Sequence, residues 1–316
     1  MIAYLSFIFF LFKYIIIISM VCTFKIRRAT MIRFGPSGNS ESFYNEGYKS
    51  SLQMPEWLRQ RGLGAYEYQC SKGVKIGKEM AVKLGEEASR NDIFLSIHAP
   101  YYINLASQEE EKQENSIRYI IETLEAANWM GASRIVVHTG SCSKIDRQLA
   151  LDTAIKNLKR AICEADALGL GHIAICPEVL GKVNQLGDLD EILTMCSIDE
   201  RLIPTVDFGH IHARGMGALN TKWDFEYILD KIDNKIGNER MRKIHIHFSR
   251  IEYTKGGEKR HWTLDDVQHG PEFYPLAQLM HERAMEPIVI CESRERMAED
   301  AMKLQEIYLA AGEVKI

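Results

Sequence analysis

The sequence predicts an α/β protein, a single closed barrel of eight parallel strands and eight helices, (β/α)8. Short apolar runs alternate with longer helical patterns from Met31 to the C-terminus, and eight such pairs can be counted. Strands joined by helical segments form right-handed βαβ units and a parallel sheet. No GxGxxG motif follows the first apolar run, which favours a barrel over a doubly wound sheet. A length of 316 residues fits one such domain, which uses roughly 250.

The individual elements follow from these periodic runs and the residues that bound them. Gly62, Gly131 and Gly169 each follow a helical pattern, where glycine commonly ends a helix. Strands are predicted at residues 32–36, 65–69, 93–99, 134–139, 173–179, 202–208, 243–249 and 287–293. Helices are predicted at 41–61, 76–90, 109–130, 147–168, 188–195, 223–235, 273–285 and 297–311. Residues 31–316 therefore form one predicted domain.

The N-terminal residues 1–30 are treated separately. Residues 2–22 are almost wholly apolar, interrupted by Lys13 and followed by Lys25, Arg27 and Arg28. As a membrane anchor this stretch would leave the remaining chain in the cytoplasm. The interpretation that we favour is a misassigned start, with Met31 as the first residue, because a strand begins there directly. In both cases the barrel is expected in the cytoplasm.

Composition limits the classes of function. The hydrophobic fraction of 46% and the charged fraction of 26% predict a large core rather than disorder. The net charge of −4 gives no overall attraction to nucleic acid, so a nucleic-acid function needs a local basic patch. The seven cysteines show no CxxC spacing, which is typical of reduced, buried thiols.

Metal-competent side chains stand at the ends of six of the eight predicted strands. In a parallel barrel these ends form the active face. A lone histidine or carboxylate there is often structural, but so many together would cost several kcal/mol on burial unless paired or metal-bound. Histidine with carboxylate suits Zn²⁺, Mn²⁺ or Fe²⁺. The residues are His98, His138, Glu178, Asp207 with His210, His245 or His247, and Glu292.

Six motifs at these positions together resemble endonuclease IV (apurinic/apyrimidinic, AP, endonuclease family 2). They are Leu95-Ser-Ile-His98-Ala-Pro-Tyr101-Tyr-Ile-Asn104, Val136-Val-His138-Thr-Gly140, Pro177-Glu178, Val206-Asp207-Phe-Gly-His210, Ile246-His247-Phe-Ser and Ile290-Cys-Glu292. That family consists of TIM barrels with a trinuclear zinc cluster at the C-terminal rim of the strands. The wider xylose isomerase-like superfamily shares the Glu, Asp, His, Glu set. The pair His98 and His138 indicates the nuclease branch.

The resemblance implies two or three zinc ions, with Mn²⁺ as an alternative. His98 and His138 would hold one ion, and Glu178 would bridge it to a second. The second ion would be completed by Asp207, His247 and Glu292, and the third would be held by His210 and His261. His245 remains the alternative to His247, because both project from the same face of one strand.

One position departs from the family pattern. The family has Asp two residues before the histidine that corresponds to His261, and here Lys259 stands at that place. An ammonium group has no lone pair for a cation. The third site is therefore weaker, ligated by a neighbour such as Glu258, or empty. Lys259 could alternatively bind a substrate phosphate.

The activity implied by the resemblance is hydrolysis of the phosphodiester 5′ to an abasic site in double-stranded DNA, by a monomer. Glu178 would be the catalytic residue, positioning a metal-activated hydroxide. The expected substrate-binding residues are Tyr101, Asn104, Lys259 and Arg260. Further phosphate contacts are expected from the loop residues Lys72, Lys75, Lys144, Arg147, Arg214, Arg250 and Lys255. The alternatives are a sugar isomerase or epimerase on the same barrel, which Lys259 would favour, and a non-catalytic relative.

Overall fold

Eight parallel strands close into a ring in the computed structural model, which describes residues 32–142 and 145–313. An antiparallel hairpin of two further strands follows the seventh barrel strand. The strands are β1 (Arg33–Pro36), β2 (Ala65–Gln69), β3 (Phe94–His98), β4 (Arg134–Val137), β5 (Ala174–Pro177), β6 (Thr205–Asp207), β7 (His245–Phe248), β8 (Arg250–Thr254), β9 (Gly257–Trp262) and β10 (Ile288–Cys291). Each of the eight barrel strands lies within its predicted range.

The ring consists of two four-stranded sheets. One has the order β1-β10-β7-β6, and the other runs β2-β3-β4-β5. Parallel bridges from Ser37 to Glu67 and from Glu178 to Thr205 join them at both seams. This topology confirms the predicted (β/α)8 TIM barrel. The first seam is tight, because a Cβ atom on Gly35 would stand 1.8 Å from the Ala65 carbonyl oxygen.

The helices surround the ring, and one prediction about them is wrong. Residues 41–61 do not form one helix: Gly47 adopts φ +93°, and Ser50 begins a new turn with a capping box to Gln53. The helices are α1 (Glu41–Asn45), α2 (Met54–Gln60), α3 (Lys78–Arg90), α4 (Glu110–Met130), α5 (Arg147–Ala167), α6 (Leu189–Cys196), α7 (Phe208–Arg214), α8 (Lys222–Ile236), α9 (Asn238–Arg242), α10 (Tyr274–Glu282) and α11 (Met297–Glu313).

The alternation of side chains along the strands separates two environments. On β7, Ile246 and Phe248 are buried on the helix side, where Phe248 packs against Phe273 with 4.9 Å between ring centroids. His245 and His247 therefore project to the inside of the barrel, where both are fully buried. The outer layer is apolar, whereas the C-terminal half of the interior is polar and titratable.

Two further findings concern the described residues only. No helix among them is long and apolar enough to cross a membrane. Their six cysteines are all free thiols, and five of these are buried. The interpretation of residues 1–30 lies outside the described part of the chain.

Candidate metal centre

Glu178 is the centre of the buried polar cluster. It follows β5 at the seam to β6, and its side chain is almost fully buried. Its Oε2 atom lies 3.0 Å from His138 Nε2 and 3.3 Å from His98 Nε2. Its Oε1 atom lies 3.2 Å from His247 Nδ1 and 3.7 Å from His210 Nδ1. One carboxylate thus reaches four imidazoles from four different elements.

Asp207 connects the end of β6 to the beginning of α7. Its Oδ1 atom accepts a hydrogen bond from the backbone N–H of His210 at 2.8 Å, which caps the helix. This cap brings the His210 ring back over the barrel, with Nδ1 3.4 Å from Asp207 Oδ2. The helix was not predicted, because its seven residues follow the strand without a turn. The short loop-free connection explains why the Asp207 and His210 side chains converge.

Three carboxylates share this part of the site. Ligand atoms of Glu178, Asp207, His210 and Glu292 lie within 4.8 Å of one another. The Asp207 Oδ2 atom is buried and accepts no hydrogen bond. A buried carboxylate oxygen without a hydrogen bond is costly, so a cation is the partner that this arrangement favours. The donor set fits a divalent metal ion.

A third group lies where the β8–β9 hairpin covers the ring. His210 Nε2 is 3.3 Å from His261 Nε2 and 3.5 Å from Glu258 Oε2. The ligand atoms of these three residues lie within 4.8 Å of one another. His261 is also fixed by a 2.8 Å hydrogen bond between its Nδ1 atom and Ser249 Oγ. Glu258, rather than Lys259, therefore faces the cluster.

A β-bulge at Lys259 explains this exchange. In the hairpin Tyr253 pairs with Glu258 and Glu252 pairs with Arg260, so Lys259 has no partner on β8. The extra residue puts Glu258 on the same face as His261, although strict alternation would place residues three apart on opposite faces. Lys259 is displaced to the other side, where its ammonium lies 2.5 Å from Glu252 Oε1.

The structure distinguishes His245 from His247. His247 Nδ1 lies 3.4 Å from Glu292 Oε1, besides its contact to Glu178, so His247 faces the carboxylate group. His245 lies one layer deeper, with Nε2 3.0 Å from Glu67 Oε2. Glu67, on β2, was missed because the run Ala-Tyr-Glu-Tyr-Gln shows a carboxylate in mid-strand, not at a strand end.

The charges of the cluster balance one another. Burial lowers the pKa of His98, but Glu178 more than reverses this and raises it to about 9. Burial also opposes protonation of His210, yet Asp207 raises its pKa to about 9. The pKa of Glu178, which burial alone would raise, is held well below its usual value by His138 and its neighbours. Without a metal ion, imidazolium groups thus serve as the counter-ions of the carboxylates.

Two of the expected substrate-binding residues stand beside the cluster. Tyr101 is 55% exposed, and its ring centroid lies 5.5 Å from that of His98 and 5.4 Å from that of His138. Asn104 is half-buried and accepts a hydrogen bond from the Ser141 backbone N–H at 3.2 Å. Tyr101 is therefore open to a ligand at the rim, whereas Asn104 holds the loop after β4.

Three of the basic residues expected on the rim are engaged within the protein. Arg147 lies 2.7 Å from Glu191 Oε2, and Arg250 is buried against Glu272 at 2.6 Å. Arg214 donates to a loop carbonyl, that of Lys182, at 2.7 Å. These three arginines hold loops in place. Lys144 lies outside the described residues, and the exposed basic residues of the set are Lys72, Lys75, Lys255, Lys259 and Arg260.

Comparison with known proteins identifies relatives on both sequence and fold. The family model described as xylose isomerase-like TIM barrel matches residues 55–308. An uncharacterised protein of Methanocaldococcus jannaschii is 36% identical over 283 residues, which are 90% of this chain and 99% of that protein. A probable endonuclease 4 of Mycoplasma pneumoniae is 33% identical over 159 residues. That alignment covers 49% of this chain and about half (52%) of the Mycoplasma protein.

Solved structures of two activities share this fold. A D-tagatose 3-epimerase-like protein superposes with a TM-score of 0.66 at 21% identity, covering 82% of this chain and 93% of that one. Endonuclease IV from Thermus thermophilus superposes with a TM-score of 0.62 at 21% identity, covering 84% and 96%. At this identity the superpositions show the barrel alone. The side chains within it must decide between the activities.

Proposed function

Because this chain belongs to the xylose isomerase-like TIM barrel family, we propose that it is a zinc-dependent AP endonuclease of the endonuclease IV type. It would act as a monomer on damaged double-stranded DNA, hydrolysing the phosphodiester 5′ to an abasic site. The proposal is supported by relatives that are named probable endonuclease 4 and by the motifs that this chain shares with that family.

A single observation carries the proposal: three adjoining groups of ligand atoms share members. Glu178 belongs to the first and second groups, and His210 belongs to the second and third. The four-residue set Glu178, Asp207, His247 and Glu292 would suit several activities on this barrel. The flanking groups, with His98 and His138 on one side and the hairpin on the other, extend it to the size of a three-ion site. The three groups are His98, His138 and Glu178; Glu178, Asp207, His210 and Glu292; and His210, Glu258 and His261. His247 contacts Glu178 and Glu292 of the middle group.

The residues of this chain would then divide the chemistry. Divalent ions, when bound, lower the pKa of a coordinated water and neutralise charge on the attacked phosphate. Glu178, as the shared carboxylate, would position the attacking hydroxide between the two groups that it joins. Its burial and its four imidazole neighbours fix the carboxylate in one orientation. No other side-chain base is required.

Substrate binding would use the open rim. An abasic nucleotide has no base to unstack, so extruding it from the duplex costs little. Tyr101 would occupy part of the space left in the DNA, and Asn104 would support the loop beside it. Lys255, Lys259 and Arg260 on the hairpin would contact phosphates, since each is exposed. The Lys259 ammonium would have to leave Glu252 to do so.

A sugar epimerase is the competing function on this fold. Lys259 was the feature that favoured it, because a lysine in the third group would leave that group incomplete. The bulge removes this argument, since Glu258 supplies the carboxylate. We therefore treat epimerase activity only as an alternative result of the experiment below.

The test is incubation of the full chain, with its metal content measured, with a duplex that carries one tetrahydrofuran abasic analogue. We expect cleavage 5′ to the lesion, which EDTA slows and Glu178→Gln abolishes. Glu79→Gln is the matched control, because it makes the same chemical change at an exposed carboxylate on α3 that pairs only with Lys83.

The opposite result is equally informative. Intact DNA in the presence of two or three tightly bound ions would overturn the nuclease, and turnover of ketose sugars by the same preparation would replace it with the epimerase. Failure to bind any divalent ion would overturn both.

A further inference from the structure

A second buried cluster lies directly beneath the candidate metal centre, inside the barrel. Glu67 on β2 is fully buried, as are His245 and His247 on β7 and Ser96 on β3. Glu67 Oε2 accepts a hydrogen bond from Ser96 Oγ at 2.8 Å and lies 3.0 Å from His245 Nε2. Glu67 Oε1 lies 3.1 Å from His247 Nε2. Hydrogen bonds from Ser96 and His245 and a close contact with the His247 ring thus converge on one carboxylate.

The two nitrogens of the His247 ring face different partners. Nε2 lies 3.1 Å from Glu67 Oε1 on the lower side, whereas Nδ1 lies 3.2 Å from Glu178 Oε1 and 3.4 Å from Glu292 Oε1 on the upper side. An ionised carboxylate only accepts hydrogen bonds. Nε2 makes no well-directed hydrogen bond among the described residues, but at 3.1 Å from Glu67 Oε1 it is favourable only when it carries a proton. Nδ1, which faces Glu178 and Glu292, then keeps its lone pair. The opposite tautomer would place two acceptors, Nε2 and Glu67 Oε1, in contact.

From this geometry we infer that Glu67 is a positioning residue, which fixes the tautomer and ring orientation of His247 so that Nδ1 is the metal-binding atom. Carboxylate partners of this kind orient histidine ligands in metalloproteins and raise their basicity. The inference rests on the metal-centre part of the proposed function but not on the substrate. It assigns a role to a residue outside the six motifs, on the strand that pairs with β3.

His245 and Ser96 hold Glu67 in turn. Ser96 Oγ donates to Oε2 and so restricts rotation of the carboxylate, which faces His245 with one oxygen and His247 with the other. His245 donates to the same oxygen, whereas Oε1 contacts His247 and accepts a long hydrogen bond of 3.5 Å from Gln69 Nε2. His245 Nδ1 is buried and makes no hydrogen bond, so nothing on its other side competes for the ring. The carboxylate is therefore held from below and presents one oxygen upward.

The experiment measures metal binding rather than turnover. Full-length wild type and the Glu67→Gln variant are stripped of metal, and Co²⁺ is titrated with a competing chelator while the visible d–d absorption is recorded. We expect Glu67→Gln to bind the His247-containing site about 10- to 100-fold more weakly, with an altered cobalt spectrum. Asp300→Asn is the control, since Asp300 is a buried carboxylate that binds the Leu264 N–H outside the cluster.

A second measurement needs no variant and is unaffected if Glu67→Gln fails to fold. In the zinc-loaded wild type, ¹H–¹⁵N spectra of the histidine rings should show His247 with a proton on Nε2 and metal on Nδ1. Metal on Nε2 would overturn the inference, and so would unchanged Co²⁺ affinity and spectrum in folded Glu67→Gln. If wild type binds no Co²⁺ or Zn²⁺, the metal centre itself fails; if it binds them but cleaves no DNA, only the nuclease fails.

Discussion

Glu258 and His261 are three residues apart, yet His261 Nε2 lies 3.7 Å from Glu258 Oε1 on one face of the β8–β9 hairpin. The bulge at Lys259 produces this relationship. It allows a Glu-x-x-His sequence to present the same pair of ligand types as an Asp-x-His sequence on a regular strand. The bulge thus brings Glu258, three residues before His261, to the face that a carboxylate two residues before His261 would occupy on a regular strand.

The first prediction separates these two residues. Glu258→Ala should lose one bound ion and reduce abasic-site cleavage by about two orders of magnitude, because it removes a carboxylate from the third group. Lys259→Ala should keep the full metal content. Metal analysis of the purified variants decides this, and loss of an ion from Lys259→Ala rather than Glu258→Ala would contradict the assignment.

A stricter version of the same prediction changes the backbone. Deleting Lys259 together with Glu258→Asp should remove the bulge and restore a two-residue spacing to His261, so the ion should be retained. Deleting Lys259 alone serves as the comparison, since it leaves the longer Glu258 side chain on the regular strand.

The pH dependence of metal binding follows from the imidazoles. His98 and His210 have pKa values of about 9 in the metal-free protein, above the ordinary 6.5, so both carry a proton at pH 7. Coordination needs the lone pair, so metal uptake must release protons and affinity should rise from pH 7 to 9. Titration calorimetry in buffers of different ionisation enthalpy measures the release. No buffer dependence would contradict the prediction.

The same groups affect the stability of the metal-free protein. A raised folded-state pKa contributes stability that is complete below pH 6.5 and is lost as pH rises through about 9. The metal-free protein should therefore melt at lower temperature at pH 9 than at pH 6.5. The metal-loaded protein should not show this decrease, because the ion replaces the protons.

Tyr101 provides a prediction about DNA binding. Tyr101→Ala should weaken binding to a duplex with an abasic analogue by about 1–3 kcal/mol, the range for an aromatic ring that stacks on a base. Tyr102→Ala is the matched control, because Tyr102 is equally exposed but its ring faces Tyr119. Fluorescence anisotropy measures both, and equal losses in the two variants would exclude a specific role for Tyr101.

The basic residues of the rim should divide into two classes. Arg214→Ala should lower the free energy of unfolding by about 1.5–3 kcal/mol, because its guanidinium binds the carbonyls of a loop. Lys255→Ala should leave stability unchanged and reduce the slope of log affinity against log salt by about one. Thermal melts and salt titrations of DNA binding separate the two, and the reverse pattern would show that Arg214 faces the DNA.

The sequence predicted the barrel well, because most of its strands are short, largely apolar runs that alternate with helical patterns. All eight observed barrel strands lie within the predicted ranges. The hairpin β8–β9 was expected only as a loop, since its alternating charged residues cover the site and build no apolar face. The division at Gly47 was missed because glycine also occurs within helices, so the sequence does not show that Gly47 adopts a positive φ and ends the helix.

From the residues alone, the buried cluster was easiest to predict where a side chain stands at a strand end, whereas His261 was expected only from the family resemblance. His98, Glu178 and Asp207 are recognisable from such positions. Glu258 is not, because its orientation depends on a bulge, and bulges arise from pairing with a second strand. Glu67 is hidden in mid-strand, where only the closed ring shows that it faces inward.

The order of the strands along the chain also determines when the buried cluster can be completed. His98, His138 and Glu178 come from the β2–β5 sheet, whereas Asp207, His247 and Glu292 come from the sheet in which β1 pairs with β10. A chain leaving the ribosome offers β1 long before its neighbour β10 exists. Unfinished chains therefore hold only part of the buried cluster, and the activity proposed above would be withheld until the last strand has been synthesised.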